Sequence, residues 1–172
     1  MARRLAREWP PVPPQQRARA IALRLLAARA RTEVEVRARL AREGLEDEAD
    51  QVVAWLRGLG YVDDEAFASA RSRALLATGR LGPGEVERRL VRAGLSPEMA
   101  RRAVGRALGG EEGRPLADAE RDLCRALAER RVRRSLAALD DGERGRLARF
   151  LAGRGFSTAA VAAVLGMNGE SE

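Results

Sequence analysis

Chemistry in this chain would first be sought in three places. Asp63, Asp64 and Glu65 are consecutive carboxylates that could hold a metal ion or act as acid and base. Residues 79–85 read GRLGPGE, a glycine-rich stretch of the general kind that cradles phosphate. Arginines crowd at Arg88, Arg89 and Arg92, with Arg71, Arg73 and Arg80 just upstream, and crowd again in RRVRR as Arg130, Arg131, Arg133 and Arg134. Guanidinium groups at that density can grip phosphates bidentately or pair with the carboxylates of a protein partner.

The residue inventory weakens the catalytic readings. The 172 residues include no His, so Cys124, the single cysteine, has no imidazole to take its thiol proton. An internal disulfide and the usual zinc sites are therefore excluded, which fits a reducing compartment. GRLGPGE lacks the Gly-Lys-Ser/Thr ending that lets a phosphate loop work. Carboxylates bunched at a helix start serve as caps and macrodipole partners. The expectation is a protein that is not an enzyme, with no catalytic residues, no metal and no cofactor.

Charge points to recognition instead. The 32 basic residues are all Arg, against 25 acidic ones, so the net +7 does not titrate near neutral pH. Residues 1–61 carry 12 Arg and 8 acidic residues, 62–110 carry 9 and 6, and 111–172 carry 11 and 11. The excess lies in the first two thirds, and its sign suits an acidic protein surface or a nucleic-acid backbone. MARRLAREWPPVPPQQ has a basic start but no apolar run after it, and no stretch approaches the roughly 20 apolar residues of a membrane span. The expected location is the cytoplasm, with no membrane contact.

Helices must position these side chains. Ala49, Val52, Val53 and Leu56 recur at the spacing of one helix face, as do Ala100, Ala103, Val104, Ala107 and Leu108, and again Val161, Val164 and Leu165. Period-two strands are lacking, and β-branched and aromatic residues are scarce. Pro10, Pro11, Pro13 and Pro14 read as an extended arm leading into the fold.

One phrase recurs three times: LAREGLEDE from Leu40, LVRAGLSPE from Leu90 and LAGRGFSTA from Leu151. If Gly44, Gly94 and Gly155 adopt positive φ just past a helix end, the preceding leucine and the following Leu45, Leu95 or Phe156 are the partners of a Schellman closure. The next helix starts at once, capped by Ser96 with Pro97 behind it, by Ser157, and by Glu46 or Asp47 in the first copy. Thr32 with Glu35 and Asp140 with Glu143 have capping-box spacing before the helix that ends in the phrase. An earlier helix completes each unit, over 17–30, 64–77 and 116 to about 133.

The reading is an all-α protein of three tandem three-helix repeats forming an elongated, curved array. A Pro-rich arm spans 1–15, the repeats span 16–61, 62–110 and 115–168, a linker covers 111–114 and a tail covers 169–172. In the second repeat Val86, Leu90 and Ala93 point inward, which leaves Arg88, Arg89 and Arg92 outside.

Between the first two repeats lies LGYVDDEAFA, Leu59 to Ala68. Together with ALRLLAARARTEVEVRARL and GRGFSTAAVAAVL, in this order and over about residues 20–165, it resembles the RecX family of recombinase modulators. The resemblance implies tandem three-helix repeats, and binding to the RecA recombinase and its filament on single-stranded DNA. Modulation there is expected to inhibit ATP hydrolysis, strand exchange and filament growth, within recombination, DNA repair and the SOS response. The family motif residues Gly60, Tyr61, Asp63, Asp64 and Phe67 are expected to be mainly structural: Gly60 a helix stop, Asp63 a cap, Phe67 a core anchor and Tyr61 packed in the joint between repeats.

The chain departs from the family in using Arg throughout in place of Lys, and in the glycine-rich acidic segment GGEEGRPLAD, expected to loosen the third repeat. The partners expected are RecA, a weak non-specific contact with nucleic acid, and no second copy, the protein being a monomer. The alternative is a helix-turn-helix transcription regulator whose second helix begins at Ser157. That helix offers Thr158, Ala159, Ala160 and Ala162 but no Arg, Asn or Gln to read base edges.

Overall fold

The structure, a computed structural model, describes residues 12–109, 115–132 and 134–167. Among them are nine α-helices, one short 3-10 turn over Leu136–Ala138 and no strand. The helices are α1 (Pro14–Ala28), α2 (Glu33–Ala41), α3 (Ala49–Gly58), α4 (Asp64–Ala77), α5 (Pro83–Arg92), α6 (Pro97–Gly109), α7 (Leu116–Val132), α8 (Asp141–Gly153) and α9 (Thr158–Leu165). Most of the arm, with Pro10 and Pro11, the 111–114 linker, Arg133 and the 169–172 tail lie outside the described residues.

Each trio of helices closes its own core. In the first, Val36, Leu40, Leu45, Val52, Val53 and Leu56 are buried together. In the second, Leu75, Val86, Leu90, Leu95, Ala100 and Val104 are, and in the third Cys124, Ala128, Leu147, Leu151, Phe156 and Val161. Burying a leucine contributes roughly 1.5–3 kcal/mol, so the Leu that opens each phrase anchors the module that the phrase terminates.

The recurring phrase is a Schellman closure in all three copies. Leu45, Leu95 and Phe156 donate their N–H to the carbonyls of Leu40, Leu90 and Leu151 at 3.0, 3.2 and 3.3 Å. The glycine N–H groups bond one residue further along, Gly44 to Ala41, Gly94 to Val91 and Gly155 to Ala152. Gly60 is a fourth instance: Tyr61 donates to the Leu56 carbonyl at 2.9 Å. The capping boxes at Thr32/Glu35 and Asp140/Glu143 are both formed, and the Ser96 and Ser157 hydroxyls accept from Met99 and Ala160 N–H.

Several expectations are corrected. Pro14 opens α1 rather than ending the arm, because the first helical turn has no use for the N–H that proline lacks. The first phrase has no side-chain cap from Glu46 or Asp47; the chain turns through an Ala49 N–H to Glu46 carbonyl bond instead. Tyr61 is 58% exposed. Phe67 sits half-buried at the edge of the second core, and Ala93 is half-buried because it ends α5.

The chain divides between Asp63 and Asp64 into two compact units. The first holds α1–α3. The second holds α4–α9, so the second and third repeats form one body, and Leu123 of α7 packs against both of its cores. The third repeat is therefore packed on the second.

Candidate partner-binding face

The face is built on α5. Pro83 occupies its first turn after an extended Gly82, Glu85 adds a carboxylate near the N-terminus, and Arg89 and Arg92 fill the last turn, each favourable to the helix dipole. Val86 and Leu90 are fully buried, which turns Arg88, Arg89 and Arg92 to solvent.

The three arginines do not stand apart. Arg88 Nε, Arg89 Nε and one Arg92 Nη donate to the Glu85 carboxylate at 2.9, 3.0 and 2.9 Å. The Arg89 hydrogen bond leads in holding the Glu85 carboxyl down at about 2, with burial opposing and Arg88 and Arg92 assisting, so it is ionised at neutral pH. One carboxylate thus gathers three guanidinium groups into a fan whose remaining N–H donors face outward. The sequence reading picked out the arginines and missed Glu85. Its signal was present, since Glu85 precedes them by three, four and seven residues, the spacings of one helix face.

The other arginines fare differently. Arg71 and Arg73 lie exposed on α4 and Arg80 in the following loop, and among the described residues no carboxylate pairs with them. The described arginines of RRVRR are dispersed. Arg130 bonds its own Ala126 carbonyl and that of Gly79, Arg131 lies 5.2 Å from the Phe150 ring centre, and Arg134 pairs with Glu143. In the first repeat Arg29, Arg31, Arg37, Arg39 and Arg57 all meet carboxylates of that repeat.

GRLGPGE has an architectural use. Gly82 and Gly84 donate their N–H groups to the carbonyls of Arg154 and Gly155 at 2.8 and 3.0 Å, docking the loop backbone onto the closure between α8 and α9. A Cβ on Gly82 would lie 2.5 Å from the Gly155 carbonyl carbon, and one on Gly155 would lie 2.2 Å from the Glu85 nitrogen. Beside this latch the Glu120 carboxylate accepts the Ser157 N–H at 2.7 Å and hydroxyl at 3.0 Å, fixing the start of α9.

The catalytic candidates lie at the start of α4 and inside the third core. Asp63 immediately precedes α4, Asp64 and Glu65 fill its first turn, Asp63 and Asp64 are engaged in interactions, and Glu65 lies 3.8 Å from Arg102. Cys124 is wholly buried, and burial, with Glu120 adding, pushes its thiol up to about 11. Among the described residues no group of three His, Cys, Asp or Glu could hold a metal ion, and no helix is long and apolar enough to cross a membrane. The solvent-facing positions of α9 are Thr158, Ala159 and Ala163, which offer no Arg, Asn or Gln to a base edge.

Three-helix modules in tandem, one of them with an arginine-rich exposed face, define a helical-repeat protein. Comparison with known proteins makes this specific. The family models for the first and third three-helix domains of RecX match residues 18–56 and 118–165. The regulatory protein RecX of Syntrophotalea carbinolica is 33% identical over 149 residues, covering 86% of this chain and 94% of its own, and that of Mycobacterium ulcerans is 35% identical over 147 residues, covering 83% and 79%. The crystal structure of RecX from Lactobacillus salivarius superposes with a TM-score of 0.75 over 90% of this chain and 96% of its own at 20% identity, which supports the fold. The chain belongs to the RecX family of regulatory proteins.

Proposed function

We propose that this chain is a non-enzymatic regulator that binds the RecA recombinase and its filament on single-stranded DNA, and restrains ATP hydrolysis, strand exchange and filament growth. Family membership supports the partner, and the Arg88–Arg89–Arg92 fan on Glu85 is the observation that supports the surface. A row of guanidinium groups on a rigid helix meets acidic protein surface or phosphate with little further ordering cost. Arg71, Arg73 and Arg80 extend the reading along α4 and its loop, whereas Arg130, Arg131 and Arg134 already serve contacts within the fold. The place of action is the cytoplasm, and the unit of action is a monomer.

Titration of the protein into recombinase on single-stranded DNA, read as ATP hydrolysis, tests the proposal. Saturable inhibition that weakens as salt rises is expected. Unchanged hydrolysis at saturating protein, or tight sequence-specific binding to duplex DNA, would sink it.

A further inference from the structure

Beside the fan the surface opens into a groove. On α5, Gly84, Glu87, Arg88 and Val91 recur at helix-face spacing, and with Arg92 and with Pro97 and Arg101, one turn apart on α6, they line a space of about 550 Å³. Val91 is 40% exposed in it, and none of the lining residues is aromatic. Three guanidinium groups, on Arg88, Arg92 and Arg101, line it with one carboxylate, Glu87, and Arg88 and Arg92 also hold Glu85.

We propose that this groove receives an acidic peptide segment of a protein partner, an apolar side chain seated on Val91 and carboxylates on Arg88, Arg92 and Arg101. The inference rests on the reading of the α5 arginines as partner-facing, and adds the chemistry of what they meet. Charge complementarity sets the sign of the occupant, since the three cations outnumber Glu87 and the Glu85 carboxylate that pairs with Arg88 and Arg92.

Two observations favour peptide over nucleic acid. A strand of nucleic acid is held by stacking its bases on aromatic rings, which this groove lacks, while exposed Val91 and the aliphatic stems of the arginines suit an apolar side chain. Glu87 adds a carboxylate acceptor. A peptide backbone has N–H groups to donate to it, and a phosphodiester backbone has none. Glu85 meanwhile engages one nitrogen of Arg88 and one of Arg92, so both are ordered before the partner arrives.

The probe is a fluorescein-labelled synthetic peptide of glutamates flanking one leucine–phenylalanine pair, followed by anisotropy with the full chain. Saturable binding is expected, with Arg101→Glu and Val91→Asp each weakening it at least about tenfold and Arg149→Glu on α8 changing it less than about twofold. Both groove positions are exposed, so helical circular dichroism should be unchanged; if Val91→Asp unfolds the chain, Val91→Ser asks the same question. Absence of saturable binding, equal binding by all variants, or displacement of the peptide by a thymidine oligomer whose own binding falls in Arg101→Glu would overturn the groove's assignment. The recombinase reading fails separately. Peptide binding that follows this pattern in a chain without effect on ATP hydrolysis upholds the groove and removes the recombinase, whereas inhibition that survives in Arg101→Glu and Val91→Asp overturns the groove alone.

Discussion

The Gly155 carbonyl of the α8–α9 closure accepts the Gly84 N–H at 3.0 Å, so the third repeat is joined to the second backbone to backbone. The same turn of chain ends one helix, begins another and docks a neighbouring repeat. Gly155 has φ +89° and no room for a Cβ beside Glu85, whereas Gly44, at φ +67° in the first copy, has open space around it.

That contrast separates two substitutions with the same local conformation. Gly44→Ala should cost about 1 kcal/mol, the penalty of positive φ for a residue with a Cβ. Gly155→Ala adds displacement of the latch and should cost more than about 3 kcal/mol. Urea unfolding of both variants checks this, and equal losses would show that the Gly155 contact is not held in solution.

Neutralising the fan with Arg88→Gln, Arg89→Gln and Arg92→Gln together should leave Val86 and Leu90 buried and the helical signal intact. Potency in the recombinase ATP-hydrolysis titration should fall at least about tenfold, as loss of complementary charge at an interface does. Reversal to Glu would be a poorer test, because four carboxylates would then crowd one face of α5 with Glu85. Unaltered potency in the folded glutamine variant would move the surface to Arg71, Arg73 and Arg80.

Glu85 links stability to pH. Its folded carboxyl lies at about 2, below the ordinary 4.5, so its contribution is present above about 4.5 and is lost as pH falls toward 2. The wild type should lose more unfolding free energy than Glu85→Gln across that interval, with the two curves parallel above about pH 6. Parallel curves throughout would mean the three arginines do not hold the carboxylate.

Cys124 should be inert in the native state, being buried with its thiol pushed up to about 11. Iodoacetamide at about pH 8 should label it only after denaturation, detected by mass. Rapid native labelling would place α7 differently from its packing against the third core.

Most bonds between near neighbours were legible from residue types along the chain. The Schellman closures at Gly44, Gly94 and Gly155 and the capping boxes at Thr32 and Asp140 each span six residues or fewer, so residue types alone specify them, and a leucine and an apolar residue around each glycine also specify a core. The Glu85 fan belongs to this class as well, its spacing legible along one helix. Tertiary structure decided the rest, because it depends on which surfaces meet. Composition counted the arginines but not their partners, and packing commits Arg130 to Gly79 and Arg134 to Glu143 while leaving Arg88, Arg89 and Arg92 outward. GRLGPGE has the composition of an anion loop, yet its Gly82 and Gly84 amides are taken by carbonyls of a turn far away in sequence, brought within hydrogen-bonding distance only when the second and third repeats close on each other.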